Sequence, residues 1–232
     1  MRLDKWIAES LHCSRTEARQ YIEGGWVRVD GAVCERPETS VATDRVSVDR
    51  DARLEPIEPA TVVWHKPAGV EAATATTAIT TDNRSAMDES GIRLLQRHLQ
   101  RLGSLVPLDA EASGLVVVSQ DGRVCRRLTE DVAAIEQEYI VEVSGELAPY
   151  GIARLCSGLD YQGRRLAPCK VSWQNEIRLR FAVKDVRPGQ LPHMCRAVGL
   201  ETVAMRRIRI GRVPLGKLPV NEWRFLPPGT RF

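Results

Sequence analysis

The chain has 232 residues and a formal net charge of +3 at pH 7. Its hydrophobic content of 43% is ordinary for a globular protein, so a core can be buried. No run of about 18 apolar residues is present, which excludes a transmembrane helix. The first ten residues, MRLDKWIAES, are charged and lack the apolar centre of a secretory signal. We therefore expect a cytoplasmic protein with no membrane partner.

The first 60 residues have the pattern of a separate small module. Apolar spacing predicts a helix over residues 2–10, and SRTE, from Ser14 to Glu17, is a capping box that begins a second helix. That helix is expected to end at Gly24-Gly25. WVRVDGAVC then predicts two strands joined by an Asp-Gly turn, and the alternation is repeated in DRVSVDR, residues 44–50. A Pro-rich, charged linker follows, so we predict one domain over residues 1–58 and a second over residues 61–232.

Short strands with a few helices dominate the second domain. TVVWHKPAGV predicts a strand, EAATATTAITTDNRSAMDES a mobile loop, and GIRLLQRHLQRL a helix. Further helices are predicted in VCRRLTE and HMCRAVGL, and strands in EYIVEVSG and MRRIRIG. This order favours an α+β fold, in which a small helix-helix-hairpin module precedes a domain with a mixed, largely antiparallel sheet and flanking helices.

The segment LVPLDAEASGLVVVSQDG, residues 105–122, carries the most specific chemical signal. Asp109 lies in a turn that precedes a Ser-Gly pair and the apolar run Leu115 to Val118. A carboxylate on a loop at the mouth of a buried strand can meet a substrate as a nucleophile or a general base. Capping of the turn is the alternative role for such an Asp.

Charge is distributed unevenly along the chain. Residues 161–232 carry 15 Lys and Arg against 4 Asp and Glu, whereas both preceding parts are net acidic. In MRRIRIGR, the Arg residues alternate with apolar ones at strand period, so Arg207 and Arg209 could line the edge or face of a sheet. A basic region of this kind indicates a polyanionic partner, usually a nucleic acid, or else a solvated surface.

The cysteines are scattered and form no CxxC pair. In a reducing compartment they are expected to be free thiols. His193 and Cys195 with Cys156 or Cys169 match the spacing of no standard zinc site, so no metal is expected.

The first 50 residues resemble the S-four-type RNA-binding module, through Arg2-Leu3-Asp4, Ser14-Arg15, Ala18-Arg19, Ile22, Gly25 and VRVDG. The resemblance implies that the second helix and the following turn lie on structured RNA. It assigns phosphate contacts to Arg2, Lys5, Ser14, Arg15, Arg19 and Arg28.

The second domain is similar to the RsuA/RluB/RluF group of ribosomal RNA pseudouridine synthases. The similarity rests on HKPAG, LDAEASGLVVVSQDG, EQEYIVEV, GLDYQGRRLAP and the long C-terminal run from MCRAVGLETV to NEWRFL. It implies that a uridine in ribosomal RNA is detached at its glycosidic nitrogen, rotated and rejoined through carbon five. It also implies that Asp109 is the catalytic carboxylate, that Tyr139 stacks on the uracil and helps move a proton, and that no cofactor is needed.

The same resemblance extends the expected RNA contacts to Lys66 and Arg187, although Lys66 could instead cap its strand loop. Nothing in the sequence demands more than a monomer.

Three positions depart from the family pattern. Arg is replaced by Pro107 two residues before the catalytic Asp, and Lys by Gln137 two residues before the Tyr. The Arg that should pair with the catalytic Asp falls on Pro192. Either Arg187, His193 or another Arg reaches Asp109, or the site is impaired. Two functions therefore stay open: an active pseudouridine synthase, and a non-catalytic RNA-binding relative that acts in ribosome assembly or as an RNA chaperone.

Overall fold

The computed structural model describes residues 1–42 and 45–232. Its contacts divide the chain into two compact units. The first contains Met1–Pro59 and Ile92–Gln100, and the second contains Ala60–Gly91 and Arg101–Phe232. The change of unit after Pro59 falls in the predicted linker. The assignment of Ile92–Gln100 to the first unit differs from the sequence division at residues 58 and 61.

Two helices and a three-stranded sheet form the first unit: α1 (Leu3–Ser10), α2 (Arg15–Glu23), β1 (Val27–Val29), β2 (Ala32–Val33) and β3 (Val46–Val48). The strands are antiparallel in the order β2-β1-β3. Asp44, at the start of the predicted third strand, lies outside the described residues. Apolar side chains of both helices and β1 are fully buried together, since the spacing of Leu3 and Ile7, and of Ala18 and Ile22, places each pair on one helix face.

The predicted capping box is present at the start of α2. The Glu17 amide donates to Ser14 Oγ at 3.2 Å, and the Ser14 amide donates to Glu17 Oε2 at 2.7 Å. Two amides that the helix leaves without an internal partner are thereby satisfied.

The predicted helix over GIRLLQRHLQRL is confined to one 3₁₀ turn, Gln96–Leu99. This segment is held to the first unit by Arg93. Its guanidinium lies 3.9 Å from the centre of the Trp26 ring, donates to the Gly25 carbonyl at 2.8 Å and to Asp49 Oδ2 at 3.1 Å. Contacts between distant parts of the chain, which local spacing does not encode, therefore decide the conformation of this segment.

The second unit is built on a nine-stranded sheet with the order β10-β11-β7-β12-β6-β4-β14, from which β5 pairs with β6 and β13 pairs with β12. Its strands are β4 (Thr61–Lys66), β5 (Gly103–Leu105), β6 (Ser113–Ser119), β7 (Gln137–Gly145), β10 (Lys170–Asn175), β11 (Arg178–Val183), β12 (Leu200–Ile210), β13 (Val213–Pro214) and β14 (Trp223–Phe225). A separate hairpin is formed by β8 (Asp160–Tyr161) and β9 (Arg164–Arg165). Among the described strands of this sheet, β12 and β6 pair in parallel and the other pairs are antiparallel, so the sheet is mixed and largely antiparallel, as predicted.

Four helices accompany this sheet: α3 (Ala75–Ala78), α4 (Gly122–Glu130), α5 (Gly151–Ser157) and α6 (Gln190–Arg196). The helix predicted over HMCRAVGL is displaced, because α6 begins at Gln190 and Leu200 already starts β12. In the Thr/Ala-rich segment, α3 and a short 3₁₀ turn replace part of the expected loop. Among the described residues, no helix has the length and apolar character needed to cross a membrane.

Gly114 permits the one parallel pairing of the sheet. Its φ is +115°, and a Cβ at this position would collide with the backbone of Arg207. Glycine is required because β6 and β12 approach closely here. The Ser-Gly pair after Asp109 therefore has a structural cause.

We predict that Arg93→Ala destabilises the first unit by about 1 kcal/mol, since a cation–π contact and two hydrogen bonds are lost. Urea denaturation of the full chain measures the change. Arg53→Ala is the matched control, because Arg53 only approaches Glu55 at 3.8 Å and both side chains are largely exposed. Equal midpoints for the two variants would contradict the role given to Arg93.

Candidate active site

Asp109 lies in the connection between β5 and β6, at the wall of a small cleft. The other walls are residues 107–108, the loop 186–188, and the side chains of Tyr139, Leu191 and Met205. Asp109 is half-buried. The turn that holds it is closed by a hydrogen bond from the Ala112 amide to the Asp109 carbonyl at 3.1 Å. The carboxylate thus faces a cleft that has an aromatic side chain in its wall.

The Gly189 amide donates a hydrogen bond to Asp109 Oδ2 at 3.0 Å. Gly189 has a φ of +73°, and a Cβ there would lie 2.8 Å from the Tyr161 hydroxyl oxygen. Both the left-handed conformation and the close contact favour glycine at this position. The Asp109 carboxylate is therefore anchored by a backbone N–H from 80 residues further along the chain.

No Arg or Lys nitrogen of the described residues lies within 4.0 Å of the Asp109 carboxylate. Pro192 is in the first turn of α6. His193 does not reach the carboxylate, since its Nε2 lies 3.0 Å from the Asp160 carbonyl oxygen. Arg187 contributes to the wall of the cleft. The ion pair expected from the family pattern is thus replaced by a hydrogen bond from the backbone.

Arg207 is fully buried beside the loop that carries Asp109. Its guanidinium donates to the carbonyls of Val106 (2.9 Å), Pro107 (2.9 Å) and Leu115 (2.8 Å). It also donates to Gln137 Oε1 at 3.1 Å. No carboxylate of the described residues pairs with it. Arg207 therefore holds the Asp109 loop to β6 and β7 while its positive charge stays inside the unit.

Val106 has a φ of +58°, a conformation that a β-branched residue rarely adopts. Such strain costs about 1–3 kcal/mol and persists only where surrounding contacts hold it. Val106 is three residues before Asp109, and its carbonyl accepts a hydrogen bond from Arg207. The hydrogen bond from Arg207 therefore helps to hold this rarely adopted backbone conformation.

Tyr139 is opposite Arg207 in the register of β7 and β12, and only 2% of it is exposed. Its hydroxyl donates to Gln137 Oε1 at 2.9 Å and accepts a long hydrogen bond from Arg207 at 3.5 Å. Burial raises the pKa of the phenol, although Arg207 opposes the rise. Tyr139 is thus a neutral side chain in the cleft wall, with its hydroxyl proton bound to Gln137.

Lys66 is at the end of β4 and is fully buried. Its ammonium donates to the carbonyls of Pro67 (2.8 Å), Val70 (2.5 Å) and Ala110 (2.8 Å). Because all three N–H groups have partners, Lys66 ties its loop to the residue after Asp109. Burial lowers the pKa of Lys66 to about 8 from the usual 10.5.

Three of the basic residues predicted to contact RNA have other roles here. The phosphate contact predicted for Lys66 is wrong, because its ammonium is enclosed and fully bonded. The prediction for Arg207 is wrong for the same physical reason. Arg209 is half-buried and donates to the carboxylates of Glu136 and Glu138, at 2.5 and 2.8 Å, so its charge is already neutralised.

The residues predicted to contact RNA in the first unit are all at its surface: Arg2, Lys5, Ser14, Arg15, Arg19 and Arg28. Buried Asp4 orients two of them, since Arg2 donates to both of its carboxylate oxygens and Arg19 approaches it at 3.6 Å. The hydrogen bond from Arg2 lowers the pKa of Asp4. Ser14 also caps α2. Their RNA contacts stay a prediction.

Gly189 and the structural role of Arg207 were missed by sequence reasoning. The Pro188-Gly189 pair is a local signal for a turn, but nothing nearby identifies Asp109 as its partner. Among the described residues, no group of three or more His, Cys, Asp or Glu side chains is arranged to hold a metal ion.

We predict that Arg207→Met lowers the free energy of unfolding by about 3 kcal/mol or more, because it leaves several buried carbonyls without a donor. Thermal and urea denaturation measure the loss. Arg206→Met changes the exposed neighbour and should stay within about 0.5 kcal/mol of the parent chain. A small loss for Arg207→Met would show that its carbonyl bonds are readily replaced.

The pKa of Lys66 predicts a pH-dependent stability. Between pH 8 and 10.5 the unfolded chain retains this proton more than the folded chain does, so the contribution of Lys66 to stability rises with pH across that window. Urea denaturation at about pH 7.5 and about pH 10 should show the parent chain gaining stability relative to Lys66→Met at the higher pH. The matched control is Lys170→Met, at an exposed position, for which the difference from the parent should stay constant.

Comparisons with known proteins agree with this architecture. The S4 domain family matches residues 1–46, and the RNA pseudouridylate synthase family matches residues 60–188. A crystal structure of a pseudouridylate synthase shares the fold with a TM-score of 0.61 at 21% identity, over 97% of this chain and 96% of that chain.

Curated relatives extend along nearly the whole chain. The dual-specificity RNA pseudouridine synthase RluF of Escherichia coli (strain K12) is 28% identical over 97% of this chain and 75% of the relative. The ribosomal small subunit pseudouridine synthase A of Vibrio cholerae is 24% identical over 97% of this chain and 96% of the relative. An uncharacterized RNA pseudouridine synthase of Aquifex aeolicus is 26% identical over 97% and 92%. With an S4 domain before a synthase domain that occupies more than half of its length, the chain belongs to the RNA pseudouridylate synthase family.

Proposed function

We propose that this protein converts a uridine of structured ribosomal RNA to pseudouridine, with Asp109 as its catalytic carboxylate. The observation that carries the proposal is the placement of Asp109 in a cleft walled by Tyr139, on a loop held by Arg207 and Gly189. Ribosomal RNA as the substrate is supported by the name of the small-subunit synthase among the relatives.

The reaction is an isomerisation, so no atoms or electrons are gained or lost. The bond from the sugar to the uracil nitrogen breaks, the base rotates, and a bond from the sugar to carbon five forms. Carbon five loses its proton, and the nitrogen released from the sugar gains one, so the proton count is unchanged. Asp109 acts on the anomeric carbon as a nucleophile or on the neighbouring sugar proton as a base. Oδ2 is held by Gly189, whereas Oδ1 has no hydrogen-bond partner among the described residues and is available to the sugar.

Two contacts with its surroundings hold Asp109 without the ion pair of the family pattern. The residue is half-buried in the cleft wall, and its carboxylate accepts a hydrogen bond from the Gly189 backbone amide. Tyr139 is in the cleft wall, and because only 2% of it is exposed, stacking of the uracil on its ring stays a prediction.

The exposed basic residues of the first unit bind the RNA backbone, and the protein acts as a monomer. Phosphate contacts of this kind position an RNA without selecting its sequence.

A non-catalytic RNA-binding relative is the second candidate. It is favoured by one observation, the absence of a cation within 4.0 Å of Asp109 among the described residues, together with Pro192 at the position of the expected Arg. A hydrogen bond to a charged donor is stronger than one to a neutral amide, so the replacement weakens the hold on the carboxylate.

We predict that Asp109→Asn reduces pseudouridine formation at least about 1000-fold while RNA affinity is retained, since the amide has nearly the shape of the carboxylate but cannot act as nucleophile or base. The measurement is pseudouridine mapping of ribosomal RNA after incubation of unmodified transcripts with the parent chain or the variant. Asp121→Asn, which alters the N-cap of α4, is the control and should leave pseudouridine formation in place.

Two results would contradict the proposal in different ways. Full activity of Asp109→Asn would remove Asp109 from the reaction. If ribosomal RNA from cells that lack the protein contains every pseudouridine of the parent strain, the non-catalytic alternative holds.

A further inference from the structure

A second, basic hollow lies in the second unit next to the Asp109 cleft. The charged residues of its lining are Arg164, Arg165, Lys184, Asp185 and Arg187. Four of these side chains are cationic and one is anionic. Arg187 belongs to the walls of both the hollow and the cleft, so the two are neighbours.

The hairpin that carries two of the cations is attached to the active-site loop. The Tyr161 hydroxyl of β8 donates to the Pro188 carbonyl at 2.7 Å, and the His193 ring lies 5.0 Å from the Tyr161 ring. Pro188 immediately precedes Gly189, whose amide holds Asp109. The hairpin, the loop and the catalytic carboxylate are therefore connected by direct contacts, which maintain the hollow in place beside the cleft.

The positive charge of the hollow is only weakly neutralised. Arg164 approaches Asp185 at 3.9 Å and Arg165 approaches Asp160 at 3.7 Å, between side chains that are roughly half or more exposed. Pairs this long and this exposed contribute little. For Lys184 and Arg187, the described residues contain no carboxylate within 4.0 Å. The hollow consequently keeps an excess of positive charge that faces solvent.

We propose that this hollow binds a phosphodiester of the RNA strand next to the uridine that enters the Asp109 cleft, through Arg164, Arg165, Lys184 and Arg187. The proposal rests on the function proposed above and adds the place where the substrate backbone is held. Guanidinium groups match the oxygens of a phosphate with paired N–H donors, and the nucleotide that meets Asp109 carries its flanking phosphates past Arg187.

Such a contact would position the RNA without selecting its sequence. It would hold the backbone on one side of the cleft while the base is turned toward Tyr139 and Asp109. A free phosphate ion presents similar oxygen acceptors and is the alternative ligand of the hollow. It would occupy the hollow without any effect on how RNA is bound.

The experiment compares the binding of in-vitro-transcribed ribosomal RNA by the full chain and by three variants over a range of salt concentrations. For Arg164→Ala/Arg165→Ala, we expect a Kd about tenfold higher and a salt slope smaller by about 1.4, at about 0.7 per lost phosphate contact. KM should rise by a similar factor while kcat is retained. Arg126→Ala, an exposed Arg of α4 at 4.0 Å from Glu130, is the matched control and should bind as the parent does.

Asp185→Asn tests whether RNA affinity rises when the hollow becomes more positive. It removes the one anion of the hollow, so RNA should bind several-fold more tightly and more salt-dependently. Far-UV circular dichroism checks that the double variant folds; if it does not, Asp185→Asn decides. Tighter binding supports the proposal, and unchanged or weaker binding overturns it.

The proposal is overturned if the double variant folds and binds RNA with the same Kd and the same salt dependence as Arg126→Ala. Competition by inorganic phosphate with no difference in RNA binding between variants would assign the hollow to a free anion and would also overturn it. A parent chain that forms no pseudouridine contradicts the proposed function, but it leaves this binding comparison valid, so the two failures can be told apart.

Discussion

The site depends on the hydrogen bonds that the buried guanidinium of Arg207 donates. It joins the carbonyls of Val106 and Pro107 to β6 and to the Gln137–Tyr139 pair of β7. A buried charge is expensive unless hydrogen bonds replace its water, and here carbonyl oxygens do so without a carboxylate. One side chain thus sets where the Asp109 loop lies relative to Tyr139, and it leaves a net positive charge beneath the cleft.

The structure explains how the site is arranged with Pro192 at the position where the family pattern has an Arg. Asp109 is half-buried, and its carboxylate accepts a hydrogen bond from the Gly189 amide where the family pattern expects an ion pair with an Arg. The loop that supplies this amide is in turn held by Tyr161 through Pro188. The chain therefore replaces an ion pair from α6 with a backbone contact from the turn that precedes it, and the same turn brings Arg187 to the cleft.

Much of the local structure could be predicted from the sequence, including the capping box at Ser14, the strand that follows Asp109, the mixed sheet and the two-family organisation. The basic pattern of β12 was harder to interpret. Alternation predicts that Arg207 and Arg209 share a face. In the structure, a bulge between them in the pairing of β12 with β7 sets Arg207 opposite Tyr139 and Arg209 opposite Glu138, so the two side chains lie on opposite faces. Arg207 is fully buried, whereas Arg209 is half-buried and paired with carboxylates. The cations near the cleft come instead from β9 and from the turn before α6.

The sequence by itself determined the elements that depend on neighbours along the chain: the helix cap at Ser14, the turn at Asp109 and the motifs that mark the family. Only the tertiary structure decided which groups meet across long separations. The hydrogen bond between Gly189 and Asp109, the enclosure of Lys66 and Arg207, and the attachment of Ile92–Gln100 to the first unit are of this kind. The physical reason is that turns and caps are governed by local hydrogen bonds and backbone angles, whereas burial and charge neutralisation depend on whichever distant segments pack against a side chain.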